Sequence, residues 1–394
     1  MSARTYLDHN ATTPLRAEAR QAMSEAMDLP GNPASVHAEG RAAKALMERA
    51  RSQVADLVGC APNQVIFTGS ATEAAALAVA QKHRHGGFFA ALPTEHDCLA
   101  VWSDAALASL YDRNGALSAS GASAFTTFIT QRADAAWQPD RGPVALVAMS
   151  AANSETGVMP AAAKVVADNS VNAARAGTVP YSVICDITQM AGKMPVVYDG
   201  DRRPSYMILS AHKMGGPKGV GALINFTSED PQAIIRGGGQ EMGRRSGTEN
   251  ITGIAGFGAA AEAAARDVAA GRWDEVAELR KILENALAAG AKTTIFVGKE
   301  ATRLPNTICF ATPGWKGEAQ VIQMDLAGFA ISAGSACSSG KVRASAVLRA
   351  MGFDDETSAS AIRVSLGLET TKKDVLRFAE AWLKREEKFR ARAA

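Results

Sequence analysis

Short apolar runs rich in β-branched residues alternate with longer alanine-rich segments along the first half of the chain. The runs at 65–67 and 144–149 each precede such a segment, at 71–80 and at 161–176, and a further run lies at 181–185. Uninterrupted apolar strands separated by helical segments are typical of parallel strands that are buried on both faces. The pattern predicts an α/β fold with a mostly parallel, doubly wound sheet.

Amphipathic helices are predicted both before and after this region. Residues 16–29 and 38–59 are alanine-rich with interspersed charges, and they flank a loop at 30–35 that contains two prolines. Residues 254–289 continue the helical pattern beyond an ordinary helix length, so we expect a break at Gly271. We expect this long stretch to connect two domains.

A smaller α+β domain is predicted after the connecting helix. Its candidate strands are the runs 294–297, 306–310, 330–332 and 361–365. A chain of 394 residues exceeds the usual size of one hydrophobic core. We therefore expect a large domain at 15–258 and a small domain formed by 1–14 and 259–394.

The composition excludes several classes of partner. Apolar residues make up 47% of the chain, charged residues make up 21%, and the net charge is only +2. There is no polybasic tract for nucleic acid or anionic lipid, so we expect a small-molecule partner. The N-terminus lacks the apolar core of a signal peptide and no apolar run is long enough to span a bilayer, which favours a cytosolic location.

The five cysteines are scattered and form no C-x-x-C pair, which argues against a disulfide framework and against a zinc site. Cys60, Cys185 and Cys309 lie among apolar or strand residues, where we expect buried and inert thiols. The role of Cys98 is ambiguous. Cys337 lies in a Ser- and Gly-rich segment with basic residues nearby, which favours a thiolate and hence a nucleophile.

The strongest chemical signal is a lysine in the run 208–219, where a short apolar strand passes into a glycine-rich turn. Lys213 stands beside Ser210 and His212, which can both bind phosphate oxygens. An amine held rigidly at such a place suits imine formation with a cofactor aldehyde, which indicates pyridoxal phosphate. The alternative is that Lys213 or Lys218 is a solvated loop cation, the usual state of lysine.

Two other strand ends fit the same cofactor. At 65–73 a strand ends in small residues where a helix begins, and a helix N-terminus attracts phosphate, although an ordinary helix cap by Ser70 or Thr72 is the commoner explanation. Asp186 ends an apolar strand, where its carboxylate needs a cationic partner such as a pyridine nitrogen. Gln189 could then reach the phenolic oxygen of the ring. Capping of the next helix by Asp186 is an equally good explanation.

His96 and Arg363 are candidates for proton transfer and substrate binding. Histidine titrates near neutrality and has a flat ring that can stack on another ring, although a lone histidine is more often structural. Arg363 lies on a predicted strand, and a guanidinium group can bind a substrate carboxylate through two hydrogen bonds. A structural ion pair is an equally good explanation for Arg363.

Seven segments, in this order along the whole chain, resemble the motifs of the cysteine desulfurases, pyridoxal-phosphate enzymes of fold type I in the class V aminotransferase group. They are YLDHNATTP at 6–14, GNPASVH at 31–37, TEH at 94–96, SAHK at 210–213, GGGQE at 237–241, RSGTEN at 245–250 and GSAC at 334–337. Each motif is short, but seven in register form a specific pattern. The resemblance implies a large pyridoxal-phosphate-binding domain and a small domain that carries the catalytic cysteine.

The resemblance also implies a role for each candidate residue. Around the cofactor ring it places Lys213, His96, Asp186, Gln189 and, where the family has an asparagine, Ser154. Around the phosphate it places Ala71, Thr72, Ser210, His212 and, from the second subunit of a homodimer, Thr248. Around the substrate carboxylate it places Asn10 and Arg363.

The implied activity is the removal of sulfur from L-cysteine to give L-alanine. Lys213 would remove the Cα proton, His96 would shuttle protons, and the thiolate of Cys337 would take the sulfur as a persulfide. A sulfur-acceptor protein would then receive it for iron–sulfur cluster assembly or thiolation.

Three departures from the family pattern bear on the activity and the partner: Ser154, the altered phosphate turn at 69–75, and Ala344 in place of a proline. Two other functions stay open. One is a selenocysteine lyase or another class V enzyme that has no persulfide step. The other is a non-catalytic sulfur carrier whose cofactor site has decayed.

Overall fold

The computed structural model describes residues 4–105, 110–115, 118–131, 144–160, 181–198, 203–334 and 344–393. The strands of these residues are β1 Thr5–Tyr6, β2 Val65–Thr68, β3 Phe89–Ala91, β4 Leu146–Ser150, β5 Ser182–Asp186, β6 Tyr206–Ser210, β7 Gly221–Asn225, β8 Ile295–Phe296, β9 Thr307–Ala311, β10 Phe329–Ala330, β11 Ser332–Ala333 and β12 Ala361–Ser365. The helices are α1 Ala17–Met27, α2 Ala38–Val58, α3 Ala71–Val79, α4 Asp97–Ala100, α5 Ala119–Thr130, α6 Ile251–Ala269, α7 Arg272–Gly290, α8 Gly317–Leu326, α9 Ala346–Ala350, α10 Asp355–Ala359 and α11 Lys372–Ala393.

Six strands of the described residues form a central sheet in the order β2-β7-β6-β5-β4-β3. Strands β3 to β6 are parallel, and β7 is antiparallel to both of its neighbours. Both faces are covered by helices. Met207 and Leu209 share a core with α1, α2 and α6, whereas Tyr206 and Ile208 share a core with α3. The predicted α/β fold with a mostly parallel, doubly wound sheet is confirmed, with β7 as an antiparallel exception.

A second, antiparallel sheet has the order β11-β12-β9-β8. Its core against α7, α8 and α11 contains Phe310 and Trp382, whose rings pack edge to face at 5.2 Å. Strand β1 pairs in parallel with β10, and Leu7 is buried in this same core. The N-terminal residues therefore pack with the second sheet. This packing is what we expect if residues 1–14 and 259–394 form the small domain and residues 15–258 form the large one. That division remains a prediction.

The two sheets also share buried side chains. Val147 and Met149 of β4 lie in one apolar cluster with Cys309 and Ala311 of β9. Continuous burial between the sheets fixes the end of β4 relative to the second sheet, because close-packed interiors do not deform freely. Residues at the strand ends of both sheets can therefore contribute to one site.

Most predicted elements are present, with one correction. Gly271 has φ 69° and separates α6 from α7, so the expected break in the long helix is confirmed. The single strand expected at 330–332 is wrong, because β10 pairs with β1 while β11 pairs with β12. The helix expected at 161–176 lies outside the described residues. In the part of the chain that the structure describes, no helix has both the length and the apolarity to cross a bilayer.

Candidate functional site

A cavity of about 230 Å³ lies where three parallel strands of the central sheet end. Ser150, Asp186 and Ser210, the last residues of β4, β5 and β6, all line it. In open α/β sheets, ligands bind at the carboxyl ends of the strands. The cavity also brings together the predicted residues Asn10, Ala71, Thr72, His96, Ser154, Gln189, His212 and Lys213.

The start of α3 forms part of the cavity wall. Ser70 Oγ accepts a hydrogen bond of 3.1 Å from Glu73 N and so caps the helix. The amides of Ala71 and Thr72 belong to the first turn, whose N–H groups have no acceptor within the helix. A Cβ atom on Gly221 of β7 would lie 2.6 Å from the carbonyl carbon of Ser70, so glycine is needed for this close approach. The helix cap and the phosphate cradle that we predicted as alternatives are compatible in this one turn.

Ser210 and His212 add polar groups to the same cavity. His212 Nδ1 lies 3.2 Å from Thr12 Oγ1. Burial, and then the charge of Lys213, lower the pKa of His212 to about 4. The imidazole is therefore neutral near pH 7. Together with the positive end of the α3 dipole, these groups suit a phosphate.

Asp186 lines the cavity and also caps the turn that follows β5. Its Oδ1 accepts a hydrogen bond of 2.8 Å from Thr188 N, so Asp186 caps a turn and not the helix that we expected as the alternative. Glu95 lies nearby and accepts hydrogen bonds of 2.7 Å from both the N and the Oγ of Ser150. Burial raises the pKa of Glu95 to about 8, so this carboxyl group is mostly protonated at neutral pH. Glu95 therefore adds no full negative charge beside Asp186.

The amine of Lys213 is tied to the N-terminal segment. Its Nζ donates hydrogen bonds to the backbone oxygens of Asn10 and Ala11, at 2.7 and 2.9 Å. Gln189 Nε2 donates to the same Asn10 oxygen at 3.0 Å. Lys213 is half-buried whereas Lys218 is exposed, so the solvated loop cation that we considered describes Lys218 and not Lys213.

The ring of His96 is fixed at the start of α4. Its Nδ1 accepts a hydrogen bond of 3.1 Å from Cys98 N, which in the neutral ring puts the proton on Nε2. Cys98 lines the cavity as well, and burial raises the pKa of its thiol. His96 therefore combines a structural capping role with a place in the cavity wall.

Arg363 does not line the cavity but lies directly behind Ser154. Its Nη1 donates to the Ser154 backbone oxygen and its Nη2 to Asp8 Oδ1, both at 2.9 Å. Its Nε is buried and has no hydrogen-bond partner among the described residues. Asn10 Nδ2 donates to the same Ser154 oxygen at 3.3 Å and to Thr307 Oγ1 at 2.8 Å. The predicted ion pair of Arg363 therefore exists, and one further donor is available.

Two predicted site residues remain, Thr248 and Cys337. Thr248 is exposed in the single chain and does not line the cavity. Cys337 lies outside the described residues. The described residues that flank its segment both approach Glu155: a Cβ on Gly334 would lie 2.3 Å from Glu155 Oε1, and Ser345 hydrogen-bonds to that carboxyl group. Since Glu155 follows Ser154, the described residues on both sides of that segment lie next to the cavity.

The remaining cysteines are poor nucleophiles. Cys309 is buried, but Cys60 and Cys185 are only half-buried, which corrects our expectation for these two. Burial raises the pKa of Cys60 to about 12 and raises the pKa values of Cys185 and Cys309 as well. All three thiols are therefore protonated at neutral pH.

Sequence analysis missed three residues that shape the site: Asp8, Glu95 and Lys193. Asp8 and Glu95 lie inside the motifs YLDHNATTP and TEH, but nothing local shows that they pair with Arg363 and Ser150. Lys193 is 2% exposed, and a lysine in a turn gives no sign of burial. Its spacing of four residues from Gln189 was the available signal.

A larger cleft of about 580 Å³ is lined by residues of the N-terminal segment, among them Tyr6, His9 and Thr13. Lys213 contributes to this wall too, together with Arg16, Arg272 and Trp273. Arg16 and Arg272 are already paired with Asp267. The smaller cavity is the better site because it combines the strand ends, the α3 N-terminus and the candidate acid–base groups.

Comparisons with known proteins agree with this geometry. Residues 5–378 match the family model described as aminotransferase class-V. A cysteine desulfurase of Frankia sp. (strain EuIK1) is 39% identical, over 94% of this chain and 88% of the relative, and one of Cereibacter sphaeroides is 38% identical, over 96% and 94%. The structure of a NifS-like protein from Rickettsia africae ESF-5 superposes with a TM-score of 0.83 and 27% identity, covering 98% of this chain and 99% of that one.

Proposed function

This chain belongs to the aminotransferase class-V family, and from that premise we propose that it is a pyridoxal-phosphate-dependent cysteine desulfurase. The substrate is L-cysteine, the released product is L-alanine, and the sulfur is held as a persulfide on Cys337. One observation carries this proposal: Lys213, Asp186, Gln189 and His96 line one cavity together with the N-terminus of α3.

The donor set of the cavity fits pyridoxal phosphate. Ala71, Thr72, Ser210 and His212 would bind the phosphate, and the Asp186 carboxylate would face a protonated ring nitrogen. Gln189 would reach the phenolic oxygen, and Lys213 would hold the aldehyde carbon. When bound, this cofactor supplies an electron sink for the pair left on the substrate Cα.

Two residues at the boundary between the sheets would bind the substrate carboxylate. Arg363 is 3% exposed, and its Nε has no partner among the described residues. Asn10 lines the cavity and shares the Ser154 carbonyl oxygen with Arg363. A carboxylate at this place would satisfy the buried guanidinium group and orient the substrate Cα toward Lys213.

Proton transfer would use two groups at fixed positions. Lys213 Nζ would take the Cα proton, after exchanging its hydrogen bonds to Asn10 and Ala11 for contacts with cofactor and substrate. His96 would serve the substrate sulfur through Nε2, because Nδ1 is engaged by Cys98 N.

The sulfur transfer requires the thiolate of Cys337 beside the substrate. The thiolate attacks the substrate sulfur, the new S–S bond forms as the Cβ–S bond breaks, and the electron pair stays on the carbon side. A proton then adds to Cβ and alanine leaves. Gly334 and Ser345, described residues on either side of the segment that contains Cys337, both approach Glu155, which follows Ser154 of the cavity wall.

The sulfur then passes to an acceptor protein, for iron–sulfur cluster assembly or thiolation. We place Thr248 at the phosphate of the neighbouring subunit in a homodimer, because Thr248 is exposed in the single chain. The cytosolic location stays a prediction.

The test is turnover of L-cysteine by protein reconstituted with pyridoxal phosphate. We expect equal amounts of alanine and sulfide in the presence of a thiol reductant and, in its absence, a mass increase of one sulfur atom on Cys337. Cys337→Ser should abolish both, while Cys60→Ser should leave them unchanged. Alanine formation that survives Cys337→Ser, or a preference for selenocysteine independent of Cys337, would instead favour a lyase without a persulfide step.

A further inference from the structure

A buried lysine lies next to the cavity and has no part in the proposed reaction. Lys193 is 2% exposed and follows Gln189 by four residues. Its Nζ donates hydrogen bonds to the backbone oxygen of Gln189 at 2.9 Å and to Gln189 Oε1 at 3.3 Å. Both contacts join Lys193 to a single residue of the cavity wall.

These contacts determine which way the Gln189 carboxamide faces. The protonated amine of Lys193 offers only donors, so it meets the carboxamide oxygen and not the NH₂ group. On the other side, Gln189 Nε2 donates to the Asn10 backbone oxygen, which can only accept. A flipped carboxamide would put two donors together at Lys193 and two acceptors together at Asn10. Both neighbours therefore select the same orientation.

The charges around Lys193 show that this lysine is not placed for stability alone. Burial, and then the charges of Lys213 and Arg363, lower the pKa of Lys193 to about 7. His9 also lies close enough for the Lys193 charge to lower the pKa of that imidazole. No carboxylate forms an ion pair with Lys193 in the described part of the chain. A buried cation among cations costs free energy, and an apolar side chain would avoid this cost.

We propose that Lys193 is a positioning residue, which holds Gln189 Oε1 and thereby turns Gln189 Nε2 toward the cofactor cavity as a hydrogen-bond donor. This inference rests on the proposed function, since the acceptor of Gln189 Nε2 would be the phenolic oxygen of pyridoxal phosphate. A donor at that oxygen stabilises its negative charge and weakens its hold on the proton of the lysine–cofactor linkage. The linkage therefore loses its proton at lower pH when Gln189 Nε2 faces the phenolic oxygen.

The readout is the pH midpoint of the visible absorption band of the protein loaded with pyridoxal phosphate. Lys193→Met removes the donors at similar length, and Gln189→Met removes the carboxamide. We expect each variant to raise the midpoint by about one pH unit, the size of one hydrogen bond to a charged oxygen. The double variant should show the same shift and no more, because both substitutions remove the same contact.

Non-additivity separates positioning from a direct effect of the Lys193 charge. A nearby cation lowers the midpoint by itself, so loss of that charge would raise the midpoint whether or not Gln189 is present. Shifts that add in the double variant would overturn the proposal. So would an unchanged midpoint in Lys193→Met while Gln189→Met is shifted.

Two controls keep the experiment decisive. Lys292→Met changes an exposed lysine and should leave the midpoint unchanged. If Lys193→Met does not fold, Lys193→Arg takes its place. The guanidinium group has only hydrogen-bond donors, so this variant should keep the wild-type midpoint. A shift like that of Gln189→Met would refute the positioning role of Lys193. A wild-type protein that shows no visible band with pyridoxal phosphate would contradict the proposed function itself, and not only the role of Lys193.

Discussion

Arg363 and Asp8 form a partly buried ion pair in which Nη2 donates to Oδ1 at 2.9 Å. The side chain of Arg363 is 3% exposed and that of Asp8 is 16% exposed. Asp8 also accepts a hydrogen bond of 2.8 Å from Ser332 Oγ, so it is held from two sides. The guanidinium group proposed to bind the substrate is therefore oriented before the substrate arrives, which lowers the entropy cost of binding.

Removal of this pairing should weaken substrate binding. We expect Asp8→Ala to raise KM for L-cysteine by about tenfold, equivalent to ~1.4 kcal/mol, because Arg363 loses its fixed orientation. Steady-state kinetics measure this effect, and kcat should change less than KM. Asp325→Ala is the matched control, since Asp325 pairs with Arg4 at the surface, where ion pairs contribute little. An unchanged KM in Asp8→Ala would contradict the positioning of Arg363.

The amine of Lys213 should be essential for stable cofactor binding. We expect Lys213→Ala to lose the visible absorption band and to form no alanine, because the covalent link to the aldehyde carbon cannot form. Lys218→Ala changes an exposed lysine five positions away and should keep both signals. Absorption spectra after gel filtration measure the difference. A visible band that persists in Lys213→Ala would show that another amine forms the link to the cofactor.

Close packing beneath α3 should be sensitive to one methyl group. We expect Gly221→Ala to lower the free energy of unfolding by about 1–3 kcal/mol and to weaken cofactor binding, because the new Cβ collides with the start of the helix. Denaturant unfolding and cofactor titration measure the two effects. Gly239→Ala is the control, since a Cβ there has no heavy atom within 4 Å. Equal stability of the two variants would show that α3 can shift without cost.

The buried carboxyl group of Glu95 should make stability depend on pH. Its pKa is about 8 in the folded chain because burial raises it more than the hydrogen bonds from Ser150 lower it, and near 4.5 when unfolded. The folded state therefore binds more protons between these values, so the contribution of Glu95 is fully present below about pH 4.5 and is lost as the pH rises through 8.

The side chain at position 95 of the variant Glu95→Gln cannot ionise, so the free energy of unfolding should fall less with rising pH than it does in the wild type. Chemical unfolding of the cofactor-free protein at pH 5 and at pH 9 measures the difference between variant and wild type. Glu369→Gln, whose side chain is 93% exposed, should follow the wild type. If the free energy of unfolding of Glu95→Gln falls with pH as steeply as that of the wild type, other groups cause the pH dependence.

The arrangement of strands and helices was largely readable from local patterns. Uninterrupted apolar runs indicated strands covered on both faces, and the break at Gly271 was found because glycine tolerates positive φ. The error at 330–332 has a nonlocal cause: Ile331 separates two short strands that pair with different partners, and no local pattern encodes a change of partner.

The sequence alone determined the chemical types of the site and the places where they occur, since Lys213 and Asp186 each stand at the end of a predicted strand or in a turn after one, and His96 lies in the motif TEH. Only the tertiary structure decided which of these groups meet, and what stands behind them. Asp8 reaches Arg363 across 355 residues, and Lys213 reaches Asn10 across 203. The burial of Glu95 and Lys193 likewise depends on packing between distant segments. The pKa of a side chain depends on the solvent and charges around it, and these exist only after the chain has folded.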